Sequence, residues 1–132
     1  KISTNLERIG DHAVNICEYT QLLEQKHIGF SQKAKAEIQS MRETSLEAIR
    51  SLGDMSRVDE DALKAIESFE QKIDDMTLDF RQNQMTRLRE GACSDEACTL
   101  YSEMLTDFER IGDHILNIGQ ELAPKEAIPL KP

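Results

Sequence analysis

Among the acidic residues of this chain that stand one helical turn apart are Glu7 with Asp11, Glu70 with Asp74, and Glu109 with Asp113. On a helix, residues at i and i+4 share a face, so each pair sets two like charges side by side and destabilises the helix by roughly 0.2–0.5 kcal/mol. A cation held between them reverses that sign. Oxygen-rich ligation tilts toward the harder ions, so Fe, Mn, Mg or Zn bound through Glu7, Asp11, Glu70, Asp74, Glu109 and Asp113 is the chemistry on offer. The spacing also admits a second explanation, in which Arg8, Arg110 and neighbouring lysines neutralise the acids in interhelical salt bridges. Glu70 is the most demanding of the six. It falls inside an apolar stripe between Ile66 and Ile73, where a carboxylate is costly unless paired, protonated or metal-bound.

Two of the pairs belong to a longer repeat. Asn-Leu-Glu-Arg-Ile-Gly-Asp-His-Ala-Val-Asn-Ile at 5–16 returns as Asp-Phe-Glu-Arg-Ile-Gly-Asp-His-Ile-Leu-Asn-Ile at 107–118. An unbroken match in mid-helix, at the same phase of the apolar stripe, points to an internal duplication about three helices long. Gly10 and Gly112 sit in mid-helix, where glycine costs about 1 kcal/mol relative to alanine; close approach of a neighbouring helix or a metal site would compensate. Asn15 and Asn117 read as interhelical hydrogen-bond formers. His12 and His114 read as surface or supporting groups rather than direct ligands.

The elements that must hold these residues are helices. Ile2, Leu6, Ile9, Ala13, Ile16 and Leu23 step by four and three along a first helix, and Ala34, Ile38, Met41, Ser45, Ala48 and Leu52 do so along a second. A third begins on the cap Asp59, with Val58 and Leu63 placed as a hydrophobic staple, and carries Leu63, Ile66, Ile73 and Phe80 inward, widened by Phe69, Met76 and Met85. Ser94 caps a fourth, whose stripe runs Leu100, Met104, Phe108, Ile111, Ile115, Ile118 and Leu122. Breaks are expected near Gly29, Gly53 and Gly91, and a frayed tail after Pro124. Four such helices on short loops pack as an antiparallel, up-down-up-down all-α bundle.

Composition narrows the function. With 132 residues there is room for one modest core, and 25 acids against 16 bases leave a net charge of −9, which disfavours nucleic acid or an anionic lipid surface as partner. Cys17, Cys93 and Cys98 lack CxxC spacing and any disulfide framework, which fits reduced thiols in a cytoplasmic setting. No stretch reaches the roughly 20 apolar residues that span a bilayer, so this segment does not itself insert. The chain begins at Lys1 already inside helical periodicity, as a piece of a longer protein would. Neither a phosphate-cradling glycine loop nor a nucleophile beside a base is present, which speaks against an enzyme. A ferritin-type di-iron enzyme needs Glu-x-x-His pairs on two helices, and none of the three acid pairs carries that spacing.

Glu-Arg-Ile-Gly-Asp-His followed by Asn-Ile, occurring twice, closely resembles the PhoU family, which is built from two three-helix repeats bearing E(D)xxxD signatures. The resemblance implies that residues 1–26 are the last helix of a first repeat, 30–123 a second repeat, and 124–132 a tail. It carries the metal-site assignment onto Glu7, Asp11, Glu70, Asp74, Glu109 and Asp113, with polynuclear metal clusters known for some members. The run Arg89–Ala97 leading into the last motif is similar to the PhoU-type domain of bacterial Na⁺/phosphate cotransporters. What this implies is a cytoplasmic-side regulatory domain that modulates phosphate uptake, tethered to a membrane transporter domain of the same chain; a freestanding PhoU regulator acting on a phosphate transport complex is the alternative. A homodimer is compatible with either.

Overall fold

The computed structural model describes residues 1–54 and 56–124. Four helices run through them: α1 Ile2–Gln25, α2 Gln32–Arg50, α3 Glu60–Arg89 and α4 Asp95–Leu122. No strand occurs among the described residues, and the tail expected to fray, 125–132, lies outside them.

Local chemistry sets the helix ends. Asp59 and Ser94 cap α3 and α4 as the sequence predicts, accepting from the Ala62 N–H at 2.7 Å and the Ala97 N–H at 3.1 Å. Ser31 does the same for α2, accepting from the Ala34 N–H at 3.1 Å. At the other end of α3, Gly91 adopts φ +73°, so that the Ala92 N–H reaches back to the Arg87 carbonyl at 2.8 Å. Helix α1 stops in the same way but without glycine. His27 takes the left-handed φ of +55°, and the Ile28 N–H donates to the Leu23 carbonyl at 2.9 Å. The break therefore falls at His27 rather than at Gly29, because these backbone bonds fix which residue turns.

Helices α2, α3 and α4 pack against one another, whereas α1 approaches α4 alone. The four-helix, all-α reading holds in a three-plus-one form, with α4 in the middle. Side-chain pairs give the directions. Arg81 of α3 donates to Ser102 Oγ and Thr106 Oγ1 of α4, both at 2.6 Å, while Ile66 lies against Gly119, and His12 of α1 meets Asp107 of α4 while Asn5 meets His114, so both neighbours run antiparallel to α4. One core cluster gathers Val58, Ile66, Ile111, Ile115 and Ile118. The other gathers Met41, Ile73, Tyr101, Leu105 and Phe108. A half-buried polar strut closes the second cluster: Arg87 Nη2 donates to Glu37 Oε1 at 2.6 Å, and the Tyr101 hydroxyl donates to the same carboxylate. Burial alone would raise the Glu37 carboxyl, but the bonds from Arg87, Tyr101 and Asn83 outweigh it and hold it below its usual range.

The stripes read on α2 and α4 are the buried ones, with Ala34, Met41, Ala48, Met104, Phe108, Ile111, Ile115 and Ile118 all buried. On α1 the reading needs correction. Leu6 is 43% exposed and Ala13 is exposed, while Ile2, Ile9 and Ile16 pack on the core in company with the buried Asn5. The inner face of α1 is half polar because its polar residues find partners on α4. Met85, read as widening the α3 stripe, is exposed as well.

Candidate functional site

The level of α3 and α4 is fixed by small against large. A Cβ on Gly112 would meet Ile73 Cδ1 at 3.2 Å, and one on Gly119 would meet Ile66 Cδ1 at 2.9 Å. The absence of side chains at these glycines lets α3 settle close to α4, and the residues beside the Ile73–Gly112 contact are Asp74 and Asp113. Carboxylate oxygens of Glu70, Asp74 and Asp113 lie within 4.8 Å of one another. Among the described residues, Glu70 Oε2 is buried and has no hydrogen-bond partner. Burial, then Asp74, Asp113 and Glu109, push the Glu70 carboxyl up to about 7. Burial and Asp74 likewise raise Glu109 and Asp113, which places Glu109 in the same field. Among the described residues, none of these acids is in an ion pair. Arg110 acts on Glu109 and Asp113, and Arg81 on Glu109, only as neighbouring charges that oppose the upward shift without closing a salt bridge.

The two copies of the repeated motif meet each other across the α1–α4 contact. His12 Nδ1 lies 2.7 Å from Asp107 Oδ1, and its counterpart His114 Nδ1 lies 2.9 Å from Asn5 Oδ1, the residue equivalent to Asp107. Asn15 Nδ2 donates to Asp107 at 3.3 Å, and Asn117 Nδ2 donates to Asn5 at 3.4 Å. The two imidazoles stack at 5.7 Å between centroids. The arrangement is an approximate two-fold axis, with a carboxylate on one side where the other has an amide. Asn5 Nδ2 donates to the Lys1 carbonyl at 2.8 Å, so its Oδ1 faces His114 and only accepts; both histidines thus donate through Nδ1 and leave Nε2 unbonded. Burial, then the positive charges of His12 and Arg8, depress the His114 pKa.

The sequence-predicted residues divide. Glu70, Asp74 and Asp113 come together with Glu109 beside them, whereas Glu7 and Asp11 stand exposed on α1. Gly112 has the packing role expected of it, but Gly10 has nothing within 4 Å. Asn15 and Asn117 do bond between helices. Asn5 and Asp107 were not singled out, although both stand at the first position of the repeat, which was the signal available. The one Glu-x-x-His spacing in the chain, Glu24 with His27, straddles the end of α1 and is exposed at both residues.

This arrangement, oxygen donors crowded on two helices, is suited to holding a divalent ion. Among the described residues no helix is long and apolar enough to cross a membrane. Comparison with known proteins agrees with the duplicated motif. The PhoU domain family matches residues 1–20 and 33–122. A phosphate-specific transport system accessory protein of Thermotoga maritima, PhoU homolog 1, is 33% identical over 124 residues, which cover 92% of this chain and 52% of that protein. The chain thus spans about half the length of this relative, and no solved structure matches it. Matched across both motif helices and the two helices between them, the chain belongs to the PhoU family.

Proposed function

We propose that this chain is a metal-binding regulatory module for phosphate transport and carries out no catalysis of its own. Glu70, Asp74, Glu109 and Asp113 would hold the ion between α3 and α4. The observation that carries this reading is the buried, partnerless Glu70 Oε2 beside two further carboxylates within 4.8 Å. A cation supplies what that oxygen lacks, and the all-oxygen donor set fits Mg²⁺, Mn²⁺ or iron better than a thiol- or imidazole-seeking ion. Glu7 and Asp11 are the equivalent half of a second site. On the same reading, residues 1–26 close a first repeat, 30–123 form a second, and 124–132 are a tail. The partner is a phosphate transport system, because the Thermotoga maritima relative is named as an accessory protein of one. Placement as the cytoplasmic-side domain of a Na⁺/phosphate cotransporter rests on the likeness of the run Arg89–Ala97; a freestanding regulator acting on a phosphate transport complex fits the relative's name equally well.

Binding is tested by melting the protein with and without Mn²⁺ or Fe²⁺ after chelator treatment. The ion should raise Tm, and changing Glu70 and Glu109 to Gln with Asp74 and Asp113 to Asn should abolish the increment while the far-ultraviolet spectrum stays helical. An equal increment in that variant defeats the assignment.

A further inference from the structure

Beside the acid cluster, on the approximate two-fold axis of the α1–α4 pair, lies an open cleft of about 630 Å³. Arg8 and Arg110, equivalent residues of the two motif copies, line it together with the stacked His12 and His114. Among the described residues, neither guanidinium makes an ion pair or a side-chain hydrogen bond, in a chain with nine more acids than bases. Arg42, Arg50, Arg57 and Arg89 are likewise outside any ion pair among the described residues, and what sets Arg8 and Arg110 apart is that they line one cleft as equivalent residues of the two motif copies. The carboxylates lining the same cleft are Asp11, Glu109 and Asp113; Asp113 also groups with Glu70 and Asp74, and the charge of Arg110 acts on both Glu109 and Asp113. The cleft thus carries both signs of charge, and an anion between the two guanidiniums competes with these acids.

We propose that this cleft binds a tetrahedral oxyanion of the phosphate class between Arg8 and Arg110. Each guanidinium is a planar fork that engages two oxygens at once. A tetrahedral oxyanion has two-fold axes of its own, so it can sit on the axis and offer one pair of oxygens to each arginine, which a flat carboxylate cannot do. The neighbouring acids oppose the anion while they are unneutralised. A cation at Glu70, Asp74 and Asp113 removes that opposition, so cation and anion favour one another, each raising the other's affinity by the same factor. This coupling rests on the metal reading above; the arginine site does not.

The test is equilibrium dialysis of the whole chain against radiolabelled inorganic phosphate at pH 7.5 and low salt, in chelator and again with micromolar Mn²⁺. Saturable binding is expected, competed by sulfate, tightened severalfold by Mn²⁺ and weakened at least tenfold in Arg8→Gln/Arg110→Gln. Both arginines are exposed, so that variant should keep its fold and its Mn²⁺-induced rise in Tm. Phosphate retention that survives the double change overturns the site, as does the absence of saturable binding in both conditions. Equal affinity with and without Mn²⁺ overturns the coupling. Failure of Mn²⁺ to bind the unaltered protein would count against the metal reading, while the chelator arm still decides the arginine site.

Discussion

Glu70 occupies a position that sequence periodicity assigns to the core, and its carboxyl, raised to about 7, is held largely neutral in the metal-free fold at mildly acid pH. The folded value lies above the ordinary carboxyl value of 4.5, so the folded chain keeps a proton that the unfolded chain releases. The resulting stability is complete below about pH 4.5 and is lost as pH rises through about 7. In chelator, the unaltered protein should therefore lose about 1–2 kcal/mol relative to Glu70→Gln between pH 5 and pH 8, the full shift being discounted because the group is only half-buried. Denaturant melts of the two proteins across that range measure the gap, and parallel curves would show that Glu70 is not perturbed. The same proton competes with metal, so the Mn²⁺ increment should shrink below pH 6.

At the scale of the helix, the repeated motif offers a paired experiment. Gly112→Leu drives a side chain into Ile73 and should destabilise by about 1–3 kcal/mol, whereas Gly10→Leu enters open space and should be neutral or stabilising by up to about 1 kcal/mol. Chemical melts showing the same sign at both sites would mean that the glycines do not differ in packing. His27 invites a change of the opposite kind. Its left-handed φ is strained for a residue with a Cβ, so His27→Gly should raise stability by about 0.5–1 kcal/mol, and an unchanged or lowered melting midpoint would contradict the strain. The two helix ends also show what could be read in advance. Gly91 and the caps Asp59 and Ser94 were legible because each acts through its own neighbours in sequence. The antiparallel pairing of α3 and α4 across the Gly91 turn was legible too, but counting outward from that turn levels Asp74 with Glu109, whereas the close Ile73–Gly112 contact brings it to Asp113. The inner face of α1 was not legible, because Asn5 and His12 are polar in sequence and become interior only through Asp107 and His114, residues far along the chain. The Arg87–Glu37–Tyr101 strut escaped for the same reason.

At the scale of the whole molecule, the three-plus-one arrangement makes stability uneven. Helix α1 has one neighbour, and its contact mixes Ile2, Ile9 and Ile16 with polar pairs, while α4 is packed on several sides. Amide hydrogen exchange should therefore release α1 through a partial opening well before α3 and α4, and Asp107→Asn, which removes the carboxylate opposite His12, should speed exchange in α1 selectively. Uniform exchange across all four helices would mean that α1 is integral to the cooperative unit.

Because α4 is the element that touches each of the others, it is a shaft with bearings on either side. Its one flank carries Asp113 and Gly112 against α3; the other carries His114, Asn117 and Asp107 against α1. Displacement at the acid cluster that turns or slides this shaft reaches α1 through its largest contact, so the two contacts work in series. In a series linkage each joint limits the transmission, and at the α1–α4 seam that joint is the pair of histidine–oxygen bonds, His12 to Asp107 and His114 to Asn5.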